Sequence, residues 1–351
     1  MTTDLTAQIH QYLTTAPSSL FAQQEVEMVD HWEGDANLLW RVAAGDQQAV
    51  VKLYLDAGQA RSRRQFDGHS VFAPFGLAPQ PLWSDRYPQG LSHQLIVYRW
   101  SEGELIDPNA PDELFAWAEA IGTLHATPTD DVQRFSPHPV NLDFYWRIEQ
   151  GSIAQIEQWL ATSGLALAKV FNQIATAAAH LTESSLPLWA TATPTAVHGD
   201  LSHQHTLLER GRATLLDWEM FGLGDPALDV ARLLQREAQT LTPSQTEQWL
   251  DRYVQTVNHP TMAARIDIFR KLLEVHNVVY LLIGLQQHTT DHLDAELHDV
   301  LPFVQASLAT ALNHATATLD LTSPDDAEAI AEEFIAWLVA KTSVAMSSDL
   351  P

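Results

Sequence analysis

Cysteine is absent from all 351 residues, which removes disulfides, thiolate metal ligands and a cysteine nucleophile from consideration. Basic residues are scarce: 19 Lys and Arg stand against 44 Asp and Glu, a formal net charge of -25. Nucleic acid and anionic membrane surfaces both need surplus positive charge, so neither is expected as a partner. The acidity would suit a cationic substrate, but it serves solubility equally well. Long hydrophobic runs are missing too. The longest, Val278 to Leu285, is too short to cross a bilayer. The first residues, Met1 to Leu5, lack the basic and apolar regions of a secretory signal, and a soluble cytoplasmic protein is the expectation. There is no repeat of fixed period, and the sequence is silent on oligomeric state.

What is present is ordinary globular material, with 46% apolar residues at a length that supports one large core or two modest ones. Asp4 to Thr14 reads as a short helix, broken by Ala16-Pro17-Ser18-Ser19. "NLLWRVAA", Gly45 to Gln48 and "AVVKLYL" then read as strand, turn and strand. In the second strand Val50, Lys52 and Tyr54 share one face, and Ala49, Val51, Leu53 and Leu55 share the other. A lysine on a half-buried strand face is costly without a partner. "ARSRRQFDGHSVF" reads as a helix whose Arg61, Arg63 and Arg64 form a solvated face, and "GLAPQPLW" and "HQLIVYRW" continue the sheet.

Beyond Ser101-Glu102-Gly103 helical patterns dominate: Glu113 to His125, Leu142 to Leu160, Ala166 to Leu181, and a long one from Thr246 to His288. Ser136 to Pro139 reads as a loop. A final helix follows Thr322, with Ser323 as its cap, Pro324 in its first turn and Asp325 and Asp326 at its positive end; the last ten residues or so are expected to be loose. The expected organisation is a small β-rich region, residues 1–101, and a larger helical one, residues 102–351.

The stretch from Thr195 to Leu234, "TAVHGDLSHQHTLLERGRATLLDWEMFGLGDPALDVARLL", carries the chemistry. "HTLLE", Arg210-Gly211 and "RATLLDW" read as a β-hairpin, which returns the chain to its starting end. Asp200, just before it, and Asp217, at its close, can therefore line one pocket. Two neighbouring carboxylates repel unless a cation lies between them or one takes a proton. Phosphoryl transfer uses such a pair: one carboxylate orients the acceptor hydroxyl and takes its proton, and the other holds magnesium on the nucleotide phosphates. Lys52 would add positive charge there. His198, His203 and His205 leave a second reading open, a histidine zinc site, although no second ligand group has recognised metal-site spacing, the run Asp291 to Asp299 only suggesting one.

In order along the chain, "WEGDANLLWRV", "AVVKLY", "LIVYRWSEGE", "AIGTLHA", His198-Gly199-Asp200, Leu216-Asp217-Trp218-Glu219 and "GLGDPALDVARLL" resemble the aminoglycoside phosphotransferase and choline kinase family. The resemblance covers roughly Trp32 to Leu234. It implies an α+β, protein-kinase-like two-lobed fold, with a small β-rich N-terminal lobe and a larger, mostly helical C-terminal lobe. It also implies transfer of the γ-phosphate of ATP, or GTP, to a hydroxyl of a small acceptor such as an amino sugar, sugar or amino alcohol, with Mg2+ or Mn2+. Carried over by residue, Asp200 is the base and Asp217 the principal metal ligand. Lys52 contacts phosphate, Gly34 and Asn37 cover the nucleotide, and the backbone of Arg99, Trp100 and Ser101 faces an adenine ring. His198, Asp225 and Asp229 brace the catalytic loop.

Two positions depart from the family pattern. His205 stands where the family has a metal-binding Asn, and magnesium prefers oxygen to an imidazole nitrogen. The family's acid partner for the strand lysine is replaced by Arg64-Gln65, so Gln65 or the nearest acid, Asp67, is expected beside Lys52. These departures motivate an alternative of another class, a nucleotide-binding kinase-like protein with little or no transferase activity. The acceptor would be chosen by the helices after Asp229, where Glu237 or Glu274 could meet an amine.

Overall fold

The computed structural model describes residues 2–56, 58–128, 138–290, 295–322 and 326–348. In chain order, α1 (Thr2–Thr15) precedes β1 (Val26–Glu33), β2 (Asn37–Ala44) and β3 (Gln47–Tyr54). Then come α2 (Arg61–Phe72), β4 (Pro81–Asp85), β5 (Leu95–Arg99), β6 (Glu104–Leu105) and α3 (Pro111–Ala126). The helices α4 (Leu142–Leu160) and α5 (Ala166–Ser185) lead to β7 (Thr195–Val197), β8 (Thr206–Glu209), β9 (Arg212–Leu215) and β10 (Gly222–Gly224). Five helices close the chain: α6 (Pro226–Arg236), α7 (Pro243–Val257), α8 (Met262–Thr290), α9 (Ala295–Thr318) and α10 (Ala327–Ser348). The residues form two compact units, one of 1–138 and 194–260, the other of 139–193 and 261–351.

The first unit holds the antiparallel sheet, in the order β1-β2-β3-β5-β4. Alternation along β3 decides which of its residues meet which core. Ala49, Val51 and Leu53 join Trp40, Val42, Leu95 and Val97 beneath Ile9, Tyr12 and Leu13 of α1, a large apolar cluster. The opposite face carries only Val50, Tyr54, Ile96 and Tyr98, with Leu39, Phe66 and Trp100 against them. Lys52 lies on this thinner side and is still only 3% exposed. One face of the sheet is filled by a helix, and the other carries the ammonium.

The expected hairpin is present as β8 and β9, paired from Thr206 with Leu215 to Glu209 with Arg212. Its two-residue loop, Arg210-Gly211, has φ of 51° and 78°, the positive pair that matches strand twist in a tight return. Beyond it, α6 starts where Asp225 accepts a hydrogen bond from the amide of Ala227 (3.0 Å) and Pro226 fits the first turn. A capping box between Thr242 and Gln245 starts α7. The long pattern read over Thr246 to His288 is not one helix. α7 ends where Asn258 turns left-handed at φ 50°, and Pro260 follows.

The second unit is helical and mostly apolar inside. Trp159 meets Phe334 edge-on at 5.6 Å, and Phe269 meets both Tyr145 and Trp189. α10 continues to Ser348, further than the loose tail expected, because no Gly or Pro interrupts the segment after Ala327. Ser136, Pro137, Ser323, Pro324 and Asp325 lie outside the described residues, as do the side chains of Asp291 to Asp299. Among the described residues no helix is long and apolar enough to cross a membrane.

Candidate active site

The catalytic-loop segment begins at β7 and is held by one buried carboxylate. Asp229, 4% exposed, accepts the backbone N–H groups of His198 (3.0 Å) and Gly199 (3.1 Å) and lies 3.3 Å from His125 Nε2. Burial opposes its ionisation, but the hydrogen bond and charge of His125 outweigh that and hold its carboxyl below the usual range. The His198 imidazole is fully buried. Its Nε2 donates to the Leu216 carbonyl (2.9 Å) and its Nδ1 accepts from the Asp200 amide (3.3 Å). Burial pushes its pKa down to about 4, so the ring is neutral and serves as a strut between the loop and the end of β9. Gly199, at φ 83°, admits no side chain: a Cβ would stand 2.6 Å from the His138 ring and 2.7 Å from the Met220 carbonyl.

Hairpin closure brings the two acids together. Leu216 N donates to His205 O at 2.7 Å, one residue beyond the β8–β9 ladder, and Asp217 then takes a left-handed conformation at φ 62° and ψ 58°. Such a backbone is uncommon outside glycine and clusters at functional sites. Ligand atoms of Asp200, His205 and Asp217 all lie within 4.8 Å of one another, and the three side chains are half-buried. His205 Nδ1 contacts the Asp200 carbonyl at 3.0 Å and Asp200 Oδ2 at 3.4 Å. When that nitrogen donates, Nε2 keeps its lone pair. Two carboxylates with one imidazole suit manganese, or zinc, better than an all-oxygen magnesium shell.

Lys52 reaches this turn from β3. Its Nζ lies 2.6 Å from Asp217 Oδ1 and 2.5 Å from Glu219 Oε1. Burial raises the Asp217 carboxyl, but the Lys52 charge and hydrogen bond overcome it and keep the group below the usual range. The partners expected from the sequence are elsewhere. Gln65 is buried against Tyr54, whose hydroxyl donates to Gln65 Oε1 at 2.6 Å, and Asp67 lies at the surface 3.7 Å from Arg63 Nε. Gln65 shares the inward face of α2 with Arg61, four residues earlier, but its oxygen is taken by Tyr54, whose ring centroid lies 5.5 Å from Lys52 Nζ. Arg64, read as part of a solvated face, is buried and donates Nε to the Glu219 carbonyl at 2.8 Å, while Arg61 lies 3.8 Å from Glu219 Oε2.

Gly34 and Asn37 form a tight turn, Gly34 N to Asn37 O at 2.9 Å, and Asn37 Nδ2 donates to Glu219 Oε1 at 2.9 Å. The amides of Arg99 and Trp100 do not face an open site. They bond Gln80 O (2.8 Å) and Gln48 O (3.0 Å), because the antiparallel pairing of β5 continues through them. The Trp100 indole stacks with Trp32 at 6.0 Å, and Arg41 lies 4.1 Å from its centroid.

Two further residues complete the loop's surroundings. Arg236, at the end of α6, pairs with Asp200 Oδ1 at 2.5 Å and donates to Leu201 O at 3.0 Å. Glu237 is 1% exposed and takes both the backbone N–H (3.0 Å) and Nδ1 (2.7 Å) of His203. Glu237 is therefore not placed to meet an amine, and His203 is tied to it rather than free to face solvent. The three histidines of the zinc reading do not converge, since His198 and His203 are each bound elsewhere. The only sequence signal for Arg236 and Glu237 is a pair of charges at the end of an apolar helix.

The model of the phosphotransferase enzyme family, APH, matches residues 29–265. No curated protein matches the sequence. Among solved structures, a choline/ethanolamine kinase family protein from Mesorhizobium loti gives a TM-score of 0.57 at 18% identity, over 95% of this chain and 99% of its own. Choline kinase LicA from Streptococcus pneumoniae gives 0.52 at 16% identity, over 90% and 99%. A thermostable mutant of aminoglycoside phosphotransferase APH(4)-Ia, in a ternary complex with ADP and hygromycin B, gives 0.52 at 15% identity, over 84% and 93%. At such identities the likeness is one of fold. The family match is a different matter, since it runs from β1 into α8 and takes in every residue gathered around Asp217: this chain belongs to the phosphotransferase enzyme family.

Proposed function

We propose that this small-molecule phosphotransferase moves the γ-phosphate of ATP, or of GTP, to a hydroxyl of a small acceptor such as an amino sugar, a sugar or an amino alcohol. The observation that carries the reading is the convergence of Lys52, Asp217, His205 and Asp200 on one turn. Lys52 would bind the nucleotide phosphates. Asp217 and His205 would hold a divalent cation, manganese or magnesium, which when bound neutralises charge on the transferred group. Asp200 would receive the acceptor hydroxyl on Oδ2, since Arg236 already occupies Oδ1. As the acceptor oxygen bonds to the γ-phosphorus, the bond from that phosphorus to the β,γ-bridging oxygen breaks. The hydroxyl proton passes to Asp200, and the nucleoside diphosphate leaves.

His198, Asp229 and Gly199 would act only by fixing where Asp200 stands, which suits a reaction driven by positioning and charge. Asp225 would support them through the start of α6. The wall formed by Val50, Ile96, Tyr98 and Trp100 would take the base, with the backbone of Arg99 to Ser101 offering it hydrogen bonds and Gly34 and Asn37 covering the nucleotide. The second reading, a nucleotide-binding protein with little transfer, draws on His205 standing at a position where magnesium would want oxygen. The hygromycin B of the APH(4)-Ia complex motivates amino sugars as the first acceptors to try. The test incubates the pure protein with ATP or GTP, with magnesium or manganese, and with each acceptor class, following phosphorylated product by mass spectrometry. Product with any acceptor supports the kinase. Nucleotide-dependent melting shifts with no product on any acceptor support the second reading.

A further inference from the structure

A buried ammonium needs a carboxylate, and α2 presents none to Lys52. Gln65 is engaged by the Tyr54 hydroxyl, and Asp67 lies at the surface beside Arg63. We propose that Glu219 is the positioning residue that anchors Lys52 for nucleotide binding, a role resting on the proposed reading of Lys52 as a phosphate contact. Its Oε1 lies 2.5 Å from Lys52 Nζ, and its side chain is 10% exposed, so solvent screens the pair weakly.

Three further contacts show that this carboxylate gathers the surrounding elements. The same Oε1 accepts from Asn37 Nδ2 at 2.9 Å, which ties in the turn between β1 and β2. Arg61 lies 3.8 Å from Oε2, and Arg64 Nε donates to the Glu219 backbone carbonyl at 2.8 Å, which ties in α2. Strand, turn and helix thus share one residue.

The division of labour with Asp217 follows from its geometry. Asp217 engages Lys52 through Oδ1 only, and its ligand atoms lie with those of Asp200 and His205. A cation drawing Asp217 toward those groups would loosen its hold on Lys52. Glu219 is not one of those clustered groups and is held by Asn37 and the arginines, so it can keep the lysine in place while Asp217 turns to the cation. Lys52 is then never left buried without a counter-charge.

The test is calorimetric binding of ATP to the full-length protein with EDTA present, so that no divalent cation takes part. Glu219→Gln keeps the Asn37 bond but removes the charge, and it is expected to weaken metal-free ATP binding by about tenfold. Gln65→Glu in the same chain puts a carboxylate beside Tyr54, whose hydroxyl can donate to it as it does to the amide, and is expected to restore most of the loss. In turnover the single variant should raise KM for ATP more than it lowers kcat. Unchanged affinity in Glu219→Gln overturns the assignment. So does a loss seen only with manganese or magnesium and not restored by Gln65→Glu, which would make Glu219 a metal ligand. If Glu219→Gln fails to fold, Glu219→Asp keeps the charge but withdraws it by one bond length, and undiminished ATP affinity there has the same force. A wild-type protein that binds no nucleotide overturns this assignment and the kinase reading together. Wild-type turnover with unaffected variants overturns this one alone.

Discussion

The two compact units bury different things. In the first, Lys52, Arg64, Gln65, His69, His125, His198, Glu219, Asp229 and Glu237 are all buried, and most of them meet at the loop from His198 to His205 or the turn from Asp217 to Glu219. In the second, the interior is mostly aromatic and aliphatic; its buried charged groups among the described residues are Arg265, covered by the Trp189 ring at 5.3 Å, and Glu149, 2.8 Å from His276 Nδ1. Buried polar groups are costly and contribute little to stability compared with apolar packing. Their concentration in one unit marks where positioning has been favoured over stability, and the apolar interior of the other marks packing.

The contrast can be broken in several places, and the largest effect is expected at Asp200. Asp200→Asn should lower kcat by about a thousandfold or more, the scale of a lost general base, while calorimetric ATP affinity holds. Unchanged turnover would remove Asp200 from the chemistry. In the apolar unit, Phe334→Ala should lower unfolding free energy in urea by about 3–5 kcal/mol, the cost of a large core truncation. ATP affinity should not move; if it does, the second unit does more than pack.

A pH profile separates the units differently. Burial pushes the His69 imidazole down to about 3, and among the described residues neither ring nitrogen has a hydrogen-bond partner. The unfolded chain takes up a proton near pH 6.5 that the folded His69 refuses until about pH 3. Its contribution is therefore fully present at neutral pH and falls as the pH drops through that window, by about 1.4 kcal/mol per pH unit. His198 acts in the same sense down to about pH 4. His69→Leu should flatten the fall by one proton in urea titrations at stepped pH, and an unaltered slope would show that the ring is protonated when folded.

Smaller effects are expected at the margin of the site. Arg236→Ala should lower kcat about fivefold with KM for ATP unchanged, since a half-exposed ion pair carries about 1 kcal/mol. His205→Asn should shift the ratio of magnesium- to manganese-supported turnover toward magnesium, by about threefold or more, because the amide offers oxygen. The same ratio in both proteins would exclude His205 as a ligand.

Some of this was readable before any coordinates. The hairpin after His205 follows from strand pattern and a two-residue loop, and with it the meeting of Asp200 and Asp217. The alternation of β3 placed Lys52 on one face. Arg64 was misread, although Arg63 is at the surface as expected, because solvation of a helix face depends on what packs there. Gly68 of α2 lies so close to the Trp218 turn that a Cβ would be 2.8 Å from the indole, and Arg64 is carried inside with it. That the amides of Arg99 and Trp100 are taken by Gln80 O and Gln48 O was not readable, because a strand's neighbour decides whether its N–H groups are free.

Local order along the chain determined the strands, the tight return and the positions of the two acids, since these depend on neighbours within a few residues. Which carboxylate holds Lys52, which arginine faces Asp200 and which acid binds His203 were decided only by the tertiary structure. Those partners lie 167, 36 and 34 residues apart in sequence. A pairing over such separations is selected by burial and by the packing of whole elements, and periodicity carries no record of it.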